Sequence, residues 1–155
     1  MQRKQTTRKC GVLKKKSNGM AAIQIPVKRT AKQEERQLQA QFVEWFRYQY
    51  PQFVRLLVCI PNGVLLPGNS KQRAIMGRRL KEEGLLPGAS DLFLFIPSGE
   101  LHGLAIELKT RTGTQSDEQK AFEAAMLEQG YGYVMPRSLN ECIKAVNMYL
   151  ETGEY

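Results

Sequence analysis

Cysteine and histidine are scarce in this sequence. Its 155 residues include three cysteines, Cys10, Cys59 and Cys142, and one histidine, His102. The cysteines are odd in number and widely spaced, with no CxxC pair, so they and His102 cannot complete a zinc site of ordinary spacing. This usage favours a reducing, intracellular setting. Any bound metal would therefore need oxygen ligands.

Long hydrophobic runs are also lacking. No apolar stretch approaches the roughly 20 residues of a membrane-spanning helix, and the N-terminal segment lacks the apolar region of a secretory signal. The composition, 42% hydrophobic and 25% charged, is typical of a globular protein, and the length suits one domain. We therefore expect no membrane association and a cytoplasmic location.

Acidic residues are absent from the first 32 positions, which carry ten of the 23 lysines and arginines. The remaining residues carry thirteen basic and fifteen acidic groups, so the net charge of +8 belongs to the N-terminal segment. We interpret residues 1–31 as a basic, disordered tail and residues 32–155 as the folded domain. Lys14, Lys15 and Lys16 fit either a solvated extension or an arm that binds polyphosphate without sequence choice.

Periodicity in residues 32–155 predicts alternating helices and strands. Apolar residues at helical spacing precede Pro51, and β-branched and apolar runs end at turn signals such as Pro61-Asn62-Gly63. The predicted helices are 32–50, 72–83, 116–129 and 139–150, and the predicted strands are 54–60, 92–96, 101–109 and 131–135. This order indicates an α/β fold, a mixed sheet of about four strands with helices on its faces.

The stretch from Leu104 to Lys109 places two charged side chains on one face of a strand. Because side chains alternate, Glu107 and Lys109 lie on the same side. A structural ion pair is one interpretation of this pair. Asp91, at the start of the preceding strand, is brought near Glu107 by the predicted hairpin. Two carboxylates and an ammonium group suit Mg²⁺-assisted phosphodiester hydrolysis, in which carboxylates hold the metal and lysine stabilises the developing charge.

Six short motifs in a fixed order carry a family resemblance that runs from about Glu35 to Leu150. They are Glu35-x-x-Leu38-Gln39-x-x-Phe42-Val43-x-Trp45, Ile60-Pro61-Asn62-Gly63, Arg79-Leu80-Lys81-x-Glu83-Gly84, Gly88-Ala89-Ser90-Asp91-Leu92, His102-Gly103-Leu104-x-Ile106-Glu107-Leu108-Lys109 and Ser116-x-Glu118-Gln119. In this order the chain resembles the VRR-NUC family, the virus-type replication-repair nucleases of the PD-(D/E)xK superfamily. One departure is Ser90, where the family usually has proline.

The resemblance implies a restriction-endonuclease-like fold and a DNA endonuclease that depends on Mg²⁺, with Mn²⁺ as a substitute. It also implies a phage or bacterial protein, and some relatives resemble Holliday-junction resolvases that act on branched DNA as homodimers. By the same resemblance Asp91, Glu107 and Glu35 match metal-binding acids, Lys109 the catalytic lysine and Gln119 a catalytic glutamine. The residues themselves leave rival interpretations: Glu35 could complement a helix dipole, and Ser116 with Gln119 could form a capping box.

Several basic and polar residues are candidates for nucleic-acid contacts. Arg73, Arg78, Arg79 and Lys81 share one predicted helix and fit either phosphate contacts or a solvated helix face. Asn62 first suggests a turn, and a substrate-facing role comes only from the resemblance. A non-catalytic nucleic-acid-binding protein on a nuclease fold is the alternative function. A preference for RNA is less favoured, because no paired aromatic platform for stacking bases is evident.

Overall fold

The computed structural model describes residues 30–61 and 66–155 of the chain. The helices in this part are α1 (Ala31–Gln49), a 3₁₀ helix (Pro51–Leu56), α2 (Ser70–Glu82), α3 (Asp117–Glu128) and α4 (Leu139–Thr152); the strands are β1 (Leu57–Cys59), β2 (Leu92–Leu94), β3 (Leu104–Ile106) and β4 (Gly132–Val134). No described helix combines the length and apolar character needed to cross a bilayer. Lys14, Lys15, Lys16 and Asn62 lie outside the described residues.

The four strands form one mixed sheet in the order β1-β2-β3-β4. The first three are antiparallel neighbours, and β4 runs parallel to β3. A two-residue turn joins β2 to β3: Ser98 and Leu101 exchange both backbone hydrogen bonds, and Gly99 has a φ of +56°. A positive φ at the first turn position matches a type II′ hairpin. The predicted mixed sheet of about four strands flanked by helices is confirmed.

The regular strands are shorter than predicted. The pattern over 54–60 predicts one strand, but Pro51–Leu56 is a 3₁₀ helix and only Leu57–Cys59 pairs with β2. Proline at the first position favours a helical start, because its fixed φ suits a helix and its missing N–H is not needed there. The predicted strand 101–109 retains regular pairing only over Leu104–Ile106.

Backbone hydrogen bonds nevertheless continue past the end of β3. Glu107 N–H donates to the carbonyl of Val134 at 2.9 Å, and Lys109 N–H donates to that of Pro136 at 3.2 Å. Residues 107 and 109 therefore keep the alternation of the strand, with Glu107 facing the side opposite to Ile106 and Leu108. The prediction that Glu107 and Lys109 share one face is confirmed by their direct contact at 3.0 Å.

Each face of the sheet packs against different helices. On one face, buried side chains of β2 and β3 pack with α1 and α4 in a cluster that includes Phe42, Phe46, Leu104, Ile106, Leu108, Val146 and Tyr149. On the other face, Phe93, Ala105 and Tyr133 pack with Phe122 and Met126 of α3. The charged residues after β3 thus emerge on the α3 side of the sheet.

The loop before β2 packs tightly on the start of α3. Gly88 has a φ of +85°, and a Cβ at this position would lie 2.5 Å from the carbonyl carbon of Glu118. Only glycine combines this backbone conformation with such a close approach. The contact holds the loop that leads to Asp91 against the first turn of α3.

Gly88→Ala should lower the free energy of unfolding by about 3 kcal/mol or more, because left-handed strain and a backbone clash add together. Gly84→Ala is the matched control, since Gly84 has a φ of +102° but a Cβ there would meet no atom within 4 Å. That variant should lose only about 1–2 kcal/mol. Urea denaturation measures both values, and equal losses would contradict the packing role of Gly88.

Candidate active site

Asp91 is held immediately before β2 by both its backbone and its side chain. Its carbonyl accepts a hydrogen bond from Ile60 N–H at 2.9 Å, which extends the pairing of β1 with β2. Its Oδ2 atom accepts from Leu108 N–H at 2.8 Å, so the carboxylate takes the position of a strand partner just after β3. This fixes the Asp91 carboxylate beside the backbone that carries Glu107 and Lys109.

The Glu107 carboxylate is buried, with a side-chain exposure of 2%. Its Oε1 atom accepts from Lys109 Nζ at 3.0 Å and from the side-chain amide of Gln119. Its Oε2 atom is also buried but has no hydrogen-bond partner within the described residues. One oxygen is therefore firmly held, and the other keeps its lone pairs for a further group.

Gln119 belongs both to the site and to the start of α3. Its Oε1 atom accepts from Ser116 N–H at 3.0 Å and from Lys109 Nζ at 2.8 Å, while its amide donates to Glu107. Ser116 Oγ in turn accepts from Gln119 N–H at 3.3 Å, which completes the predicted capping box. The helix cap and the contact with the charged pair are therefore made by the same side chain.

Glu35 approaches the site from the first turns of α1. Its Oε1 atom accepts from Thr110 N–H at 3.4 Å, and its charge adds to burial, the largest cause, in raising the pKa of both Asp91 and Glu107. The three acids do not converge into a group that could hold a metal ion together, among the residues that the structure describes. Mg²⁺ is commonly held by one or two protein carboxylates with several waters, so a site for it would not need all three acids.

Burial and like charge shift both carboxylates in the same direction. Burial, followed by the charge of Asp91, raises the pKa of Glu107 to about 7, although Lys109 opposes this shift. Burial also raises the pKa of Asp91, against the hydrogen bond from Leu108 N–H. Two carboxylates that repel each other in a desolvated place are the arrangement that a divalent cation would stabilise.

The donor set therefore fits a hard divalent cation. The unpartnered Oε2 atom of Glu107 and the carboxylate of Asp91 offer oxygen ligands with excess negative charge. Lys109 adds a positive group next to them but cannot bind a metal itself while protonated. Asp91 and Glu107 would hold the ion, with Glu35 close enough to act on it through its charge.

Arg137 is a residue of this region that the sequence did not suggest. Its Nη1 atom donates to the carbonyls of Thr110, Arg111 and Gly113 at 2.7, 3.3 and 2.8 Å. The guanidinium group thus binds the loop that follows Lys109 and leads to α3. No local pattern could have indicated this contact, because it joins segments 24 to 27 residues apart.

A second polar group near Glu107, formed by Gln115, Glu123 and Tyr133, could not be predicted from the sequence either. Gln115 Nε2 donates to Glu123 Oε2 at 2.6 Å, and Glu123 follows Gln119 by one helical turn on α3. Tyr133 of β4 faces the same region, and the charges of Glu107, Glu123 and Asp91 help to raise its pKa, after the larger effect of burial. Period-two alternation in β4 could have assigned Tyr133 to a face, but not to this neighbourhood.

The basic residues of α2 are not brought to the carboxylates by any described contact. Arg78 and Arg79 form ion pairs with Glu82 and Glu83 at 3.4 and 2.7 Å, and all four side chains are mostly exposed. The helix, which also carries Arg73 and Lys81, buries no residue. Both interpretations, phosphate contacts and a solvated helix face, therefore stay open for these four residues.

Comparison with known proteins supports the fold. A solved structure described as a VRR_NUC domain protein superposes with a TM-score of 0.64 and 21% sequence identity, covering 77% of this chain and 90% of that chain. No protein-family model matches the chain, and no curated protein matches it. The sheet and its flanking helices thus have a VRR-NUC-like, restriction-endonuclease-like architecture, as the sequence predicted.

The raised pKa of Glu107 predicts how stability depends on pH. The carboxyl ionises near pH 4.5 in the unfolded chain but near pH 7 in the folded one. Stability is therefore fully present below about pH 4.5 and is lost as the pH rises through about 7, by up to about 3 kcal/mol. Glu107→Gln should abolish most of this loss in urea denaturation with EDTA. Parallel pH profiles for the two proteins would contradict the prediction.

Arg137→Ala should lower the free energy of unfolding by about 2–4 kcal/mol, because three loop carbonyls lose a charged donor. Arg137→Lys should recover only part of this loss, since an ammonium group lacks the planar fork of arginine. Lys144→Ala, at an exposed position of α4, is the control and should change stability by less than about 0.5 kcal/mol. Equal effects of Arg137→Ala and Lys144→Ala in urea denaturation would refute the loop-binding role.

Proposed function

We propose that this protein is a metal-dependent nuclease that hydrolyses phosphodiester bonds in DNA. The observation that carries the proposal is the buried Glu107 carboxylate, which has one oxygen held by Lys109 and Gln119, the other unpartnered, and a pKa raised by burial and by the charge of Asp91. Two carboxylates beside a single ammonium group leave excess negative charge in a desolvated place, and a bound divalent cation would offset that cost. The VRR-NUC-like architecture supports the same proposal.

Each residue has a distinct part in this proposal. Asp91 and Glu107 would hold Mg²⁺ or Mn²⁺, and Glu35 adds negative charge to the same region. When bound, the cation supplies Lewis-acid chemistry, lowering the pKa of a coordinated water and neutralising charge on the phosphate. Lys109 stabilises the negative charge that grows on the phosphate oxygens as water attacks phosphorus and the bond to the leaving oxygen breaks. Gln119 keeps the Lys109 ammonium group in place through its hydrogen bond of 2.8 Å.

The finer parts of the proposal concern the substrate and the assembly. Endonucleolytic cutting, a preference for branched DNA and action as a homodimer rest on the resemblance to the VRR-NUC family. Contacts with phosphates from Arg73, Arg78, Arg79 and Lys81, from Asn62, and from the lysines at 14, 15 and 16 belong to the same proposal. Nuclease assays on supercoiled plasmid and on a synthetic four-way junction separate these possibilities, and sedimentation of the same samples reports the oligomeric state.

Lys109→Ala should reduce cleavage in Mg²⁺ by about 10²–10³-fold, because one electrostatic contact to the reacting phosphate is lost. Binding of DNA should change little, since Lys109 is only 10% exposed. Lys120→Ala is the matched control, as Lys120 lies on α3, is 62% exposed and pairs with Asp117. That variant should cut at the wild-type rate.

Asp91→Ala should abolish cutting, because it removes a proposed metal ligand. EDTA should abolish cutting by the wild type, because it removes the metal itself. Cutting at the normal rate by Lys109→Ala would show that the assignment of the lysine is wrong. Binding without cutting by the wild type in both Mg²⁺ and Mn²⁺ would instead support a non-catalytic nucleic-acid-binding protein. Faster cutting of RNA than of DNA would change the substrate class but keep the site.

A further inference from the structure

Two buried side-chain atoms stand out in the part of the chain that the structure describes. Glu107 Oε2 and the hydroxyl oxygen of Tyr133 are its only buried side-chain polar atoms without a hydrogen bond. One is an acceptor and the other a donor. Buried polar groups are nearly always satisfied, and these two exceptions are complementary in their hydrogen-bonding capacity.

The register of the sheet brings these two residues together. Ala105 pairs with Tyr133 across the parallel strands β3 and β4, and Glu107 follows Ala105 by two residues. Ala105, Glu107 and Tyr133 therefore share the face that α3 covers. Glu107 is offset from Tyr133 by one strand spacing and two residues, about 8 Å between backbones, which a tyrosine side chain can largely span.

Other donors near Glu107 are already committed elsewhere. Lys109 Nζ and the Gln119 amide both bind Oε1 and leave Oε2 free. The Gln115 amide lies near the Tyr133 hydroxyl, but it donates to Glu123 at 2.6 Å and does not meet hydrogen-bond geometry with the tyrosine. The Tyr133 hydroxyl is the buried side-chain donor that still lacks a hydrogen bond within the described residues, and the charge of Glu107 acts on it.

We propose that Tyr133 is a positioning residue for Glu107: its hydroxyl donates to Oε2 through one bridging water and sets the rotation of the carboxylate. The inference rests on the proposed function, because the carboxylate so oriented is the one assigned to the metal. A bridging water suits two polar groups that are close but not in direct contact. Without the hydroxyl, the carboxylate is fixed only through Oε1 and can turn about that anchor.

The test compares metal binding and metal-free stability in Tyr133→Phe. Phenylalanine keeps the ring packing with Phe122 and removes only the hydroxyl. The affinity for Mn²⁺, measured by calorimetry on the full chain, should fall about tenfold, as is typical when a group orienting a metal ligand is lost. The melting temperature in EDTA should fall by no more than about 4 °C, because only one water-mediated hydrogen bond is lost.

Two matched variants make the result specific. Tyr131→Phe removes a nearby hydroxyl, on a ring that packs against Phe93 and His102, and should bind Mn²⁺ as the wild type does. Gln115→Ala removes the amide next to Tyr133 and should change the Mn²⁺ affinity by less than about twofold. A loss in Gln115→Ala equal to that in Tyr133→Phe would assign the effect to the amide and overturn the inference.

The remaining outcomes are equally decisive. Wild-type Mn²⁺ affinity in Tyr133→Phe would overturn the role of Tyr133 while leaving the proposed metal site intact. Unfolding of that variant, or a fall of the melting temperature in EDTA by more than about 8 °C, would show that the hydroxyl has a structural role instead. Failure of the wild type to bind Mn²⁺ would overturn the proposed function and this inference together, a result distinct from all the others.

Discussion

The burial of one charged group, the Glu107 carboxylate, is the constraint on which the rest of the site depends. A carboxylate in a sheet interior must be compensated by hydrogen bonds and opposite charge. Lys109 and Gln119 compensate the Glu107 carboxylate with contacts to Oε1, whereas the negative charges of Asp91 and Glu35 destabilise its ionised form. Glu107 therefore has a raised pKa and one carboxylate oxygen without a hydrogen-bond partner. This combination suits the proposed cation site better than it suits a purely structural ion pair.

The scaffold meets this constraint with backbone groups as much as with side chains. Regular strand pairing ends at Ile106, yet hydrogen bonds to Val134 and Pro136 carry the strand geometry on to Lys109. On the other side, the Asp91 carboxylate replaces a strand partner for Leu108 N–H. The charged residues therefore lie just past the regular pairing of the sheet, on backbone that hydrogen bonds still hold.

Two loops are fixed by contacts that serve the same region. Gly88 lets the loop before Asp91 touch the first turn of α3, and Arg137 binds three carbonyls of the loop after Lys109. Both loops thus meet at the N-terminus of α3, where Gln119 caps the helix and holds Lys109. Precision at the site comes from this convergence, since the strands that carry it have only three regular residues each.

Local patterns in the sequence determined the order of the four main helices and four strands, the shared face of Glu107 and Lys109, and the capping box of Ser116 and Gln119, because alternation and capping act over two to four residues. They did not give the 3₁₀ helix Pro51–Leu56 or the short lengths of the strands. The hairpin signal between β2 and β3 was equally local and placed Asp91 near Glu107. Only the tertiary structure decided that Arg137 and Tyr133 belong to this region and that Gln119 has two roles. These contacts depend on the parallel pairing of β4 with β3 and on hydrogen bonds between segments that are far apart in the sequence. Neither produces a periodic pattern of residues along the chain.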